Sequence, residues 1–148
     1  MFHLKAFSIQ HDQAAQRVGT DALVLGVWPF HYPQGSLRRV LDVGTGTGIL
    51  ALLQAQRHPE ALIEAWELEE SAAREAQANF LSSPFAARLS LHQASFLDRA
   101  RELVGSSTFA PFDLIISNPP FYPEEVVSTD RARRLARPSE AEGLSPET

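Results

Sequence analysis

From Arg39 to Ser117 the apolar residues follow two alternating patterns. Val40–Val43, Leu62–Leu68, Arg88–His92 and Phe112–Ser117 are short apolar-rich runs, bounded by glycine, proline or serine, that predict strands. Between them lie stretches with helical spacing. Thr47 to Arg57 predicts a helix that buries Ile49, Leu50, Leu52 and Leu53 and stops at His58-Pro59. Ser71 to Leu81, with Ala72, Ala73, Ala76 and Ala78, predicts a second, suited to close packing on a sheet and broken by Ser82-Ser83-Pro84. Asp98 to Val104 predicts a third, followed by a loop at Gly105–Pro111. The last strand is apolar enough to be expected buried on both faces.

Strands and helices alternating at this spacing imply a parallel sheet with right-handed crossovers, an α/β doubly wound, Rossmann-like fold of about four strands. Before it, residues 4–11 alternate partially, as a short strand or an extended arm. Residues 17–28 read as a short helix capped by Thr20 or Asp21 and ended by Pro29, and His31–Ser36 as a loop. After Pro119 the alternation stops. Residues 122–148 carry Pro123, Pro138 and Pro146, many charges and no pattern of a fifth strand. The expected organisation is one domain over 1–148: an arm and helix at 1–38, an α/β core at 39–121, and an irregular end at 122–148.

Composition narrows the chemistry. The 148-residue chain is 44% hydrophobic and 21% charged, as in ordinary globular domains, with no apolar run long enough for a membrane span and no signal-peptide pattern. A cytoplasmic location is the expectation. No cysteine is present, which excludes disulfides, thiolate metal sites and a cysteine nucleophile. His3, His11, His31, His58 and His92 lack metal-ligand spacing, so no metal is expected. A formal charge of −5 argues against nucleic-acid binding by bulk electrostatics. Positive charge is nevertheless concentrated at Arg131, Arg133, Arg134 and Arg137, as a solvated helix face or as a local phosphate contact.

The stretch from Asp42 to Gly48 joins the first strand to the first long helix through three glycines. A phosphate-binding P-loop starting at Gly44 would need a glycine and a lysine where Ile49 and Leu50 stand, and a dinucleotide fingerprint would need a small residue at Ile49. What remains is Asp-x-Gly-x-Gly-x-Gly with an acid, Glu67, ending the next strand. This resembles the first motif of class I methyltransferases. The resemblance implies S-adenosylmethionine as cofactor, with Gly44, Gly46 and Gly48 passing under its amino-acid part and Asp42 orienting the loop and the ligand amino group. Glu67 can accept hydrogen bonds from ribose hydroxyls. Ser95 stands where related enzymes often read the adenine ring with an acid, and Phe96 could cover that ring. A loop serine beside a core phenylalanine accounts for the pair equally.

The last predicted strand runs into Ser117-Asn118-Pro119-Pro120-Phe121. Two prolines fix a stiff turn at the carboxyl end of the sheet, beside the glycine loop. Asn-Pro-Pro-Phe resembles the motif of methyltransferases that act on planar amino nitrogens. Such an amine is a poor nucleophile because its lone pair is delocalised. The Asn118 side-chain oxygen and the Pro119 carbonyl can each accept one amine hydrogen, which favours tetrahedral nitrogen and aims the lone pair, while Phe121 stacks on the ring and Pro120 completes the substrate-facing turn.

Residues 7–12 and 17–28, Asn79, Ser83-Pro84-Phe85, residues 118–121 and the arginines at 133–137 together look like bacterial tRNA1(Val) (adenine-N6)-methyltransferases, which methylate the adenine next to the anticodon. That resemblance covers nearly the whole chain and implies tRNA as partner. It has Gly19, Thr20 and Asp21 closing over the methionine end of the cofactor, where an ordinary helix cap is the other reading, and Arg131, Arg134 and Arg137 facing tRNA phosphate. Two alternatives remain open. Release-factor glutamine-N5 methyltransferases share Asn-Pro-Pro-Tyr but carry a helical domain ahead of the glycine loop, for which 39 residues leave too little room. A cofactor-binding fragment without activity is the other, because class I enzymes add three strands after the Asn-Pro-Pro strand. The expectation is a chain truncated from a longer enzyme, with its fourth strand at an open edge.

Overall fold

The computed structural model describes residues 1–12, 18–28 and 37–119. An antiparallel hairpin of β1 (Phe2–His3) and β2 (Ser8–Ile9) opens the chain, followed by α1 (Thr20–Val27). The core is β3 (Arg39–Val43), α2 (Ile49–Arg57), β4 (Leu62–Glu67), α3 (Glu70–Leu81), β5 (Leu89–Gln93), α4 (Phe96–Val104) and β6 (Leu114–Ser117). The four core strands form one parallel sheet in the order β5-β4-β3-β6. This is the expected Rossmann-like α/β arrangement.

The order follows from where the apolar residues lie. Val40 and Asp42 of β3, Ile63 and Ala65 of β4, and Leu114 and Ile116 of β6 share one face by register, and all are buried. Onto that face α2 lays Leu50, Ala51, Leu52, Leu53 and Ala55, and α3 adds Ala76 and Phe80. Phe7 and Ile9 of the hairpin close the same core from the side. Packing α1 against α2 needs a close approach: a Cβ on Gly26 would lie 2.3 Å from Leu53 Cδ1. Gln54 and Arg57 of α2 then donate side-chain hydrogen bonds to the carbonyls of Gly26, Val27 and Trp28. The same C-terminal end of α2 is secured by Arg88, whose guanidinium donates to the carbonyls of Ala55, His58 and Ala61.

The opposite face carries Glu64 and Trp66. Here α4 covers the sheet through Phe96, whose ring lies 6.0 Å from that of Trp66, and through Arg99, which approaches the Glu64 carboxylate with Arg39 and His92. None of the described helices is long and apolar enough to cross a membrane.

Several boundaries differ from the sequence expectation. The N-cap of α1 is Gly19, with no side-chain hydrogen bond, so neither Thr20 nor Asp21 caps it. Residues 4–11 contribute one strand of a hairpin whose partner, Phe2–His3, carries no alternation to reveal it. The helix after the glycines begins at Ile49 rather than Thr47, because Gly48 is still left-handed (φ 85°). Glu69 caps α3 by accepting from the Ser71 and Ala72 amides. The last helix starts at Phe96 rather than Asp98. Among the described residues β6 is covered on one face only: Ile116, in the core cluster with the α2 side chains, is 4% exposed, while Ile115 on the other face is 59% exposed. Among the described residues β6 stands at a sheet edge, as expected. Ile116→Ala should therefore cost about 2–5 kcal/mol in urea unfolding and Ile115→Ala under about 1 kcal/mol. Equal costs would contradict the face assignment.

Candidate functional site

The order β5-β4-β3-β6 reverses direction at β3: the chain first builds outward through β4 and β5, then returns to place β6 on the other side. The crevice at such a switch point, outside the carboxyl ends of the strands, is where α/β sheets take ligands. Val43 of β3 pairs with Ser117 of β6, and the Ser117 hydroxyl donates to the Val43 carbonyl at 2.8 Å. Gly44 and Asn118 thus leave adjacent strands at the same level. Both line one cleft, together with Thr45, Gly46 and Thr47 of the loop and Val18 and Ala22 of the N-terminal segment.

The loop is held from three directions. Gly44 and Thr45 donate their amides to the Trp66 carbonyl at 2.8 and 3.1 Å. The Gly46 amide donates to Glu67 Oε2 at 2.9 Å, and Glu67 Oε1 accepts the Glu69 amide. From beneath, Asp42 Oδ2 accepts from the Thr45 hydroxyl at 2.5 Å and from the Ala51 amide at 3.1 Å. Gly44, Gly46 and Gly48 all have positive φ, which a residue with a Cβ adopts only at a cost. The reasons for glycine then diverge. A Cβ on Gly48 would lie 2.5 Å from Phe80, whereas at Gly44 and Gly46 it would meet nothing within 4 Å. The backbone at those two positions is open to a ligand.

Asp42 is fully buried, and burial pushes its carboxyl up to about 7, opposed by the Thr45 and Ala51 hydrogen bonds and assisted by the charge of Glu67. Oδ1 finds no partner among the described residues, so a proton there costs no hydrogen bond. Being enclosed, Asp42 orders the loop rather than presenting a carboxylate to solvent. Elsewhere, Ser95 is the extended N-cap of α4 and makes no side-chain cap bond, and Phe96, 48% exposed, leans on Trp66 beside the end of β4. Thr20 and Asp21 are exposed on the first turn of α1, and it is their neighbours Val18 and Ala22 that line the cleft. Asp21 lies instead on an outer groove with Val24, Leu25 and Trp28. Asn118 and Pro119 are described; Pro120, Phe121, Arg131, Arg134, Arg137 and the 122–148 end fall outside the described residues, as does the His31–Ser36 loop. Among the described residues no cluster of three or more His, Asp or Glu could hold a metal ion.

The sequence motifs assign nothing to Thr45 and Thr47, at the variable positions between the glycines, and include Asn79 only as part of the family resemblance, without a role; its Nδ2 donates to the Thr47 carbonyl at 2.8 Å.

The Asp42 carboxyl has a folded-state value of about 7 against 3.8 when unfolded, so its protonated form stabilises the fold below about pH 4 and that contribution is lost as pH rises through about 7. Asp42→Asn can keep the acceptor for Thr45 and Ala51 without the buried charge. Its stability relative to the parent chain should rise between pH 4 and pH 7 in denaturant titrations; a pH-independent difference would contradict the raised value.

Comparison with known proteins agrees with this geometry. A curated tRNA1(Val) (adenine(37)-N6)-methyltransferase of Porphyromonas gingivalis is 42% identical over 142 residues, covering 95% of this chain and 54% of the relative. Its namesake from Citrobacter koseri is 43% identical over 137 residues, 92% of this chain and 53% of the relative. The chain thus spans about half the length of the curated relatives it matches. Among solved structures, an O-methyltransferase from Bacillus cereus in complex with SAH shares the fold at a TM-score of 0.57 and 20% identity, over 85% of this chain and 56% of its own. The family model of the methyltransferase small domain matches residues 18–144, and with the glycine loop, Glu67 and Asn118 assembled at one switch point, this chain belongs to the methyltransferase small domain family.

Proposed function

We propose that the whole protein transfers a methyl group from S-adenosylmethionine to the exocyclic N6 of an adenine in tRNA, near the anticodon of tRNA-Val. The observation that carries this reading is the Val43–Ser117 pairing, which brings a glycine loop open at Gly44 and Gly46 beside Asn118-Pro119. The substrate follows the printed name of the relatives at 42% and 43% identity.

The residues fit the cofactor. The absent side chains of Gly44 and Gly46 leave space against the loop, and Glu67 stands at its rim with a carboxylate suited to ribose hydroxyls. In this reading the first turn of α1, which carries Thr20 and Asp21 and whose Ala22 lines the cleft, closes over the methionine end, and Ser95 and Phe96 cover the adenine end. When bound, S-adenosylmethionine supplies an electrophilic methyl group. Asn118 and Pro119 hold the amine through its two hydrogens, and Phe121 and Pro120 support the ring. Arg131, Arg134 and Arg137 provide phosphate contacts that the net charge of −5 does not. No residue of this set forms a covalent intermediate.

The test is mass spectrometry of nucleosides from tRNA incubated with the whole protein and cofactor. N6-methyladenosine is the expected product. Methylated glutamine in a release-factor peptide, with tRNA unmodified, would overturn the reading. Asn118→Ala should lower the rate on the order of 100-fold, the typical cost of removing one oriented polar group, while cofactor affinity stays within about twofold. Gly46→Val, which fills the open side of the loop, should abolish both; wild-type activity in either variant would refute the assigned roles.

A further inference from the structure

Asn79 lies on α3, 2% exposed, and joins two segments far apart in the chain. Its Oδ1 accepts the Gln10 amide at 2.8 Å and its Nδ2 donates to the Gln10 carbonyl at 2.9 Å. The side-chain amide thereby takes both backbone groups of one residue, as a partner strand would. The second Nδ2 hydrogen goes to the Thr47 carbonyl. That carbonyl is open to it for a definite reason. Its normal helical donor, the Ala51 amide, is instead given to Asp42. One turn earlier on α3, Glu75 accepts the Asp12 amide at 2.6 Å and continues the attachment of the arm.

Val18 and Ala22, which follow the arm in the chain, line the cleft from one stretch of chain, and Thr47 lines it from another. A buried amide with both hydrogens and its oxygen engaged is costly to disturb, because breaking one bond leaves a desolvated polar group. We propose that Asn79 is a positioning residue of the cofactor cleft, coupling the N-terminal arm to the exit of the glycine loop so that closing one stretch on a ligand orders the other. This rests on the cofactor reading of the cleft given above. Asn79 touches no ligand-facing surface itself. It acts through Gln10 and Thr47.

The coupling has two readouts in the whole protein. NMR-detected amide exchange should slow at Gln10 and Asp12 when S-adenosylmethionine is added, although neither residue lines the cleft. Asn79→Asp keeps the acceptor for Gln10 but loses both donations; it and Asn79→Ala should weaken cofactor affinity about tenfold, a usual size for coupling between sites, and speed exchange at Gln10 without ligand. Ile63→Val, a destabilising change in β4 away from this network, separates positioning from stability and should leave affinity unchanged. Asn79 variants that bind as tightly as the parent chain, or that lose no more affinity than Ile63→Val, would overturn the coupling. A parent protein that does not bind at all would instead overturn the cofactor reading.

Discussion

The buried carboxylate of Asp42 is the constraint on which the site depends. By accepting from the Thr45 hydroxyl and the Ala51 amide, it ties the end of β3 to the loop and to the first turn of α2. Diverting the Ala51 amide delays the regular helix, leaves Gly48 left-handed and frees the Thr47 carbonyl for Asn79. Burying an acid is unfavourable, as its raised titration shows. The return is a rigid loop whose open glycine backbone faces the cleft while its polar groups are anchored to Asp42, Trp66 and Glu67. Ligand loops are more effective when their shape is set before the ligand arrives.

Topology supplies the second half. Because the chain returns across the sheet after β5, two motifs separated by about seventy residues end on neighbouring strands at one level. Neither would need the other in isolation. A glycine loop can bind many nucleotides, and an Asn-Pro turn can end many strands; their adjacency at the switch point is the observation that supports the proposed transfer between a ligand on one and a planar amine on the other.

Much of this was legible from the chain. Strand runs around Val40, Ile63 and Ile116 and the alanine-rich face of α3 carry periods that only one layered packing satisfies. Glycines at alternate positions behind an acid have few uses. What escaped has physical reasons. A four-residue apolar strand reads the same whether one face or two are covered, which is how the exposure of Ile115 was missed. Phe96 reads as standing ahead of its helix because that helix is capped by backbone geometry at Ser95 rather than by a recognisable side-chain bond, and it is 48% exposed rather than a core residue. Thr45 and Thr47 fill positions that the glycine spacing leaves open to any residue, and the role of Asn79 was hidden because its partners are backbone groups of Gln10 and Thr47, distant in sequence; an asparagine late in a helix looks like a surface residue until they are placed.

The central claim is that one ligand lies on the glycine loop between Glu67 and Asn118. Mapping amide and side-chain chemical shifts while S-adenosylhomocysteine is titrated into the isotope-labelled whole protein tests it most directly. The largest changes should fall at residues 44–47, at Glu67 and Leu68, and at the Asn118 side chain. Changes confined to another part of the surface, or no saturable change at all, would contradict the account.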